Sequence, residues 1–146
     1  MKIFGIDPGV SGAICILKEG KVLEEDFVAR LENLNELLEK VNTMDPERLG
    51  TVRERLEKAV ADLKVELDAN RFEQELIYYL EKYDITEEKV RLANHLKYFE
   101  STLNSDDSNG KKLGFISQEI GREINTIGSK ANYAPMQQLV VQMKDE

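Results

Sequence analysis

The run Gln118-Glu119-Ile120-Gly121-Arg122-Glu123-Ile124-Asn125-Thr126 holds the side chains best suited to chemistry in this chain. Glu119 and Glu123 are four residues apart, so on a helix they are neighbours on one face. Two carboxylates at that spacing can hold a hard divalent cation through oxygen. Arg122 and Lys130 lie on the same flank with Thr126, and an arginine fork grips a phosphate in a bidentate way. A cation for the nucleophile and positive charge for the developing anion are what phosphodiester hydrolysis requires. His95 is the only histidine. Histidine is the side chain best able to exchange protons near neutral pH, and helical spacing makes Arg91 and Phe99 its neighbours. Glu–Arg pairs of this kind are also routine on solvated helix faces, and a lone histidine is often only a surface or packing residue. Spacing alone leaves both readings open.

These residues need helices to position them. Leu113, Ile116, Ile120, Ile124 and Ile127 mark the inward face of a helix over Lys111–Ser129. Leu92, Leu96, Phe99 and Leu103 do the same over Glu87–Asn104, with Thr86 as its expected cap. Phe72, Leu76, Leu80 and Tyr83 predict a helix over Arg71–Tyr83, and Pro135 opens a last one carrying Met136, Leu139, Val140 and Met143. That last helix is still periodic at Glu146, the pattern of a helix continuing in a longer parent. Upstream, Phe27, Leu31, Leu34, Leu38 and Val41 form a coiled-coil-like seam. Asp45-Pro46 reads as the turn to a second seam at Leu49, Val52, Leu56, Val60, Leu63 and Leu67. Residues 1–23 read as a β-hairpin, with apolar runs around Asp7-Pro8-Gly9 and Glu19-Gly20. The expected fold is mainly α. A β-hairpin over 1–23 precedes a long antiparallel helical hairpin over 24–70, followed by a small helical bundle over 71–146.

Composition narrows the function classes. The 146 residues are 33% charged, with a net charge of −8, which disfavours strong nonspecific binding to nucleic acid through the chain as a whole. Residues 71–146 are closer to balance, with 10 basic and 13 acidic side chains. Cys15 is the single cysteine, so no intrachain disulfide forms and a cytoplasmic location is expected. No apolar run reaches the ~20 residues of a membrane span.

A longer string carries a resemblance. Arg71-Phe72-Glu73-Gln74-Glu75, Asp84-Ile85-Thr86-Glu87-Glu88, Arg91-Leu92-Ala93-Asn94-His95-Leu96 with Phe99, Gly110-Lys111-Lys112-Leu113, Phe115, Gln118-Glu119, Arg122-Glu123-Ile124-Asn125-Thr126 and Gly128-Ser129-Lys130 follow in that order. Together they resemble the C-terminal helical domain of the YicC family of bacterial endoribonucleases, with a weaker likeness reaching back to about Glu19. The resemblance implies a cytoplasmic, metal-dependent endoribonuclease, using Mn or Mg, that acts on RNA and assembles into a homo-oligomer. It implies His95, Glu119, Arg122 and Glu123 as catalytic residues, Glu119 and Glu123 also as metal ligands, and Arg91, Gln118, Asn125, Thr126 and Lys130 as RNA or phosphate contacts. Gly114 stands where the family pattern leads one to expect an acid, and Gly121 where it leads one to expect Asn. The family's long N-terminal domain is absent from this sequence.

Residues 1–18, Met1-Lys2-Ile3-Phe4-Gly5-Ile6-Asp7-Pro8-Gly9 onward, resemble instead the opening strand of RuvC-like junction resolvases, in which the matching Asp ligates metal. On that alternative Asp7 would serve a DNA nuclease, although Asp-Pro-Gly is also ordinary turn chemistry. A further alternative is a noncatalytic helical module that oligomerises through the two seams. The chain thus reads as composite, its two parts meeting near Lys18–Glu24.

Overall fold

A computed structural model describes residues 22–62, 68–105 and 109–146. All elements among them are helical: α1 Val22–Asp62, α2 Ala69–Lys82, α3 Thr86–Leu103, α4 Gly110–Ala131 and α5 Ala134–Asp145. The mainly α expectation holds. The expected β-hairpin lies outside the described residues except at Val22 and Leu23, which belong to α1 rather than to a strand.

The main departure concerns Asp45-Pro46. The expected turn is absent, and α1 runs unbroken through Pro46 for 41 residues, roughly 60 Å at helical rise. Proline removes one N–H, and with it the bond to the carbonyl of Asn42, but its fixed φ suits a helix. Asn42 is exposed, which leaves that carbonyl close to water. The packing shows why the helix continues. Leu34, Leu38, Val41, Asp45, Arg48 and Val52 are all buried and step by four and three alternately, so the inward stripe passes the proline without changing phase. The much shorter α2 packs against α1.

One core joins the elements. Leu31, Leu34, Leu38 and Val41 of α1 pack with Leu92, Leu96 and Phe99 of α3, Ile116, Ile120, Ile124 and Ile127 of α4, and Met136, Val140 and Met143 of α5. The proximal seam of α1 is thus covered within the same chain, and the core crosses residue 70, where the sequence pattern divides hairpin from bundle. Burying a side chain of this size stabilises by about 1.5–3 kcal/mol, so the stripe on α1 is a principal part of the bundle. Gly128 lets α5 approach α4 closely: a Cβ there would meet Val140 Cγ1 at 3.0 Å.

Boundaries follow local chemistry. Asp68 caps α2 by accepting from the Asn70 amide. Thr86 is the first residue of α3 rather than its cap. Asp84 organises that entry, accepting from the Thr86 hydroxyl at 2.7 Å and its amide at 3.3 Å. Helix α4 ends at Asn132, which takes the left-handed conformation (φ 43°) in which Asn is among the few tolerated side chains.

Candidate functional site

Helices α3 and α4 pack antiparallel, and one flank of that pair gathers most of the polar residues singled out in the sequence. Successive turns of α3 present Glu88, Arg91 and His95. Those of α4 present Lys130, Glu123 and Glu119 in the opposite order. The α3 set steps by three and four residues and the α4 set by seven and four, which keeps each on one side of its helix.

At the centre lie His95, Glu119 and Glu123. One ligand atom from each falls within 4.8 Å of the others. Glu123 is buried, and His95 and Glu119 are half-buried. Arg91 Nε donates to Glu123 Oε1 at 2.9 Å. Its other nitrogens reach Glu87 at 2.8 Å and Glu88 at 3.2 Å. The hydrogen bond that Arg91 donates to Glu123, then the one it donates to Glu87, pushes the guanidinium pKa further up, so it remains a fixed positive charge. Arg122 lies 3.4 Å from Glu119 Oε2, and its side chain is 72% exposed. In both pairs the arginine engages one named oxygen of the carboxylate.

Arg91 and Lys130 act as partners of buried carboxylates. Lys130 Nζ donates to Glu88 Oε1 at 2.9 Å and to the Asp84 carbonyl at 3.1 Å. Glu88 was not singled out from the sequence, yet it is buried and takes both cations on one oxygen. Its Oε2 is buried without a hydrogen-bond partner among the described residues. The Thr126 hydroxyl donates to the Arg122 carbonyl. Gln118 and Asn125 are exposed, one residue before Glu119 and two after Glu123, spacings that point side chains away from those carboxylates. Asp7 lies outside the described residues.

A second polar cluster was also missed. Arg48 is fully buried and contacts Asp45 at 2.7 Å, while Lys89 reaches the other oxygen of Asp45 at 2.6 Å. The Arg48 guanidinium also donates to the carbonyls of Tyr83 at 2.8 Å and Ala131 at 3.2 Å. It thereby satisfies orphan carbonyls at the ends of α2 and α4. The sequence signal was present: Asp45 and Arg48 fill the rungs between the two apolar seams.

Two grooves lie elsewhere. One of about 490 Å³ is lined by Leu49, Gly50, Arg53, Leu80, Glu81 and Asp84. Another of about 220 Å³ lies between Leu56, Val60, Phe72, Leu76 and Tyr79. Neither includes His95, Glu119 or Glu123.

The donor set of the flank fits a divalent cation. Imidazole suits transition metals such as zinc and iron, and carboxylates suit magnesium, calcium and manganese, so a mixed His and Glu set does not by itself select one ion. Among the described residues no helix is long and apolar enough to cross a membrane.

Comparison with known proteins gives the family. Residues 24–146 match the family model described as "Endoribonuclease YicC-like, C-terminal". The chain is 37% identical over 132 residues to the "Probable endoribonuclease YicC" of Clostridioides difficile (strain 630), covering 88% of this chain and 45% of that protein. It is 35% identical over 127 residues to the protein of the same name from Haemophilus influenzae, covering 87% of this chain and 44% of that protein. The chain therefore spans about half the length of the curated relatives it matches. The family-model match begins at residue 24, beyond the resolvase-like stretch.

Proposed function

The chain belongs to the YicC-like endoribonuclease C-terminal family, and from that premise we propose that it is the RNA-facing portion of a metal-dependent endoribonuclease. The convergence of His95, Glu119 and Glu123 within 4.8 Å carries the reading, because it joins residues 24 to 28 positions apart from two helices into one donor set. A manganese or magnesium ion held there would supply Lewis-acid polarisation of a phosphate and an activated water.

The surrounding residues divide the remaining work. Arg91 fixes Glu123 and cannot readily leave it, being held by three carboxylates. Arg122 is the arginine of this flank with the freedom to grip a phosphate, since its contact with Glu119 is long and its side chain is exposed. His95 stands beside both carboxylates, where it serves as a ligand or carries the proton of the leaving oxygen. Lys130 is committed to Glu88 and supports α3 against α4. The reading includes a homo-oligomer that presents several such flanks to one RNA, and light scattering on the purified chain tests that part: a strict monomer that cleaves RNA removes it.

The decisive experiment incubates the chain with end-labelled RNA and manganese, magnesium or EDTA. Cleavage is expected with metal and not with EDTA, and Glu119→Gln, Glu123→Gln and His95→Ala should each slow it at least a hundredfold. Undiminished cleavage in EDTA or in all three variants would refute the assignment.

A further inference from the structure

One helical turn beyond His95 and Glu119 the flank changes character. Tyr98 on α3 is 48% exposed and Phe115 on α4 is 57% exposed. Tyr98 is three residues after His95 and Phe115 four before Glu119, so both share the flank of the candidate metal group. Each ring carries a cation: Lys112 Nζ is 4.8 Å from the Tyr98 centroid, and Lys111 Nζ is 5.9 Å from that of Phe115. The ion pairs of this flank are made by Arg91, Arg122 and Lys130. Lys111 and Lys112 take part in none among the described residues.

This pairing of features favours one occupant. Protein interfaces enrich aromatic residues but are depleted in lysine, whereas surfaces for unpaired nucleic acid alternate aromatic rings with cations. The rings stack on bases of any sequence and the ammonium groups follow the backbone. A duplex keeps its bases stacked within itself, so the arrangement suits single-stranded segments and loops.

We propose that Tyr98 and Phe115, with Lys111 and Lys112, form a base-stacking subsite for single-stranded RNA, seating a nucleotide next to the phosphate held at His95, Glu119 and Glu123. The subsite rests on the RNA reading above and adds the strand state of the substrate and the place where it is gripped. Tyr98 and Phe115 would be binding residues, and the chemistry would remain with the neighbouring turn.

The chain contains no tryptophan, so Phe115→Trp installs a single emission reporter inside the subsite. With EDTA present, an unstructured RNA dodecamer should quench that emission saturably, and the same sequence as a duplex should not. Tyr98→Ala and Phe115→Ala should each weaken binding of labelled RNA about tenfold. Lys111→Gln with Lys112→Gln should flatten the salt dependence of log K by about 1.4, near 0.7 for each lost contact. RNA that binds and is cleaved while the reporter stays unquenched and both alanine variants bind normally would overturn the subsite and leave the nuclease standing. Quenching without cleavage under any metal would support the subsite and remove the nuclease. Emission that shifts with protein concentration alone would assign the patch to a second copy of the chain and overturn the proposal.

Discussion

Arg91 Nε and Glu123 Oε1 meet at 2.9 Å across the α3/α4 interface. The contact joins an exposed guanidinium to a buried carboxylate, and the same guanidinium continues to Glu87 and Glu88. The carboxylate at the centre of the candidate site is thereby held in one orientation by a cation anchored at three points.

Replacing Arg91 with Met should affect both the reaction and stability, because it leaves the buried carboxylate of Glu123 without its cation. Glu123 and Glu88 would lose directional partners, and metal-dependent RNA cleavage should fall at least tenfold while far-UV circular dichroism is retained. Arg91→Lys should not restore it, because a single ammonium cannot reproduce the planar fork. Full activity in Arg91→Met would show that Glu123 needs no positioning.

Arg48→Met should also be costly to stability. Removing one partner from a buried ionic cluster typically costs about 3–5 kcal/mol, and here the carbonyls of Tyr83 and Ala131 also lose a donor. Urea denaturation followed by circular dichroism should show a loss of that size. Arg53→Met, at an exposed pair with Glu57, should leave the midpoint unchanged. Equal midpoints for the two variants would contradict the role given to Arg48.

The glycines of α4 should respond in opposite directions. A Cβ at Gly114 or Gly121 meets nothing within 4 Å, so alanine there should stabilise by about 0.5–1 kcal/mol through helix propensity. At Gly128 the added methyl presses on Val140 Cγ1, and overpacking should cancel or reverse that gain. Val140→Ala in the Gly128→Ala background should recover part of the loss, a coupling that thermal melts of the four proteins can measure.

Asp84 supplies a pH dependence. Its carboxyl pKa is lowered mainly by the Thr86 hydroxyl, against an opposing effect of burial, with help from the Thr86 amide, Lys130 and Lys89. A folded-state value below the unfolded one gives stability that is present above the ordinary aspartate range and lost as pH falls through the folded value. Thr86→Val should thus shrink the drop in melting temperature between neutral and strongly acidic pH. A drop as steep as in the unsubstituted chain would place the effect elsewhere.

Apolar periodicity made α2 to α5 legible to within a few residues, because burial of one helix face governs both the pattern and the fold. Ile116, Ile120, Ile124 and Ile127 were read as inward and are buried. The pairing of Glu119 with Glu123 was visible as local spacing. The approach of His95 was not, since it depends on the antiparallel register of two helices. Asp45-Pro46 misled because turn chemistry was weighed without the residues that follow: Asp45 and Arg48 occupy the inward stripe as a charged pair, and a pattern scored on apolar side chains cannot see them. Glu88 escaped notice for a related reason. Its partners are Arg91 on its own helix and Lys130, 42 residues away.

The buried guanidinium of Arg48 also bears on the order in which the chain can mature during synthesis. Its acceptor on Ala131 is made 83 residues later. Until then the Arg48 guanidinium has Asp45 and the Tyr83 carbonyl as partners but not its acceptor on α4, and desolvating an incompletely partnered charge is expensive. Premature collapse of the stripe, on itself or on another nascent copy, is penalised at that position. Complete pairing of Arg48 thus waits on α4, which would make this one residue a brake on misassembly before the partner helices arrive.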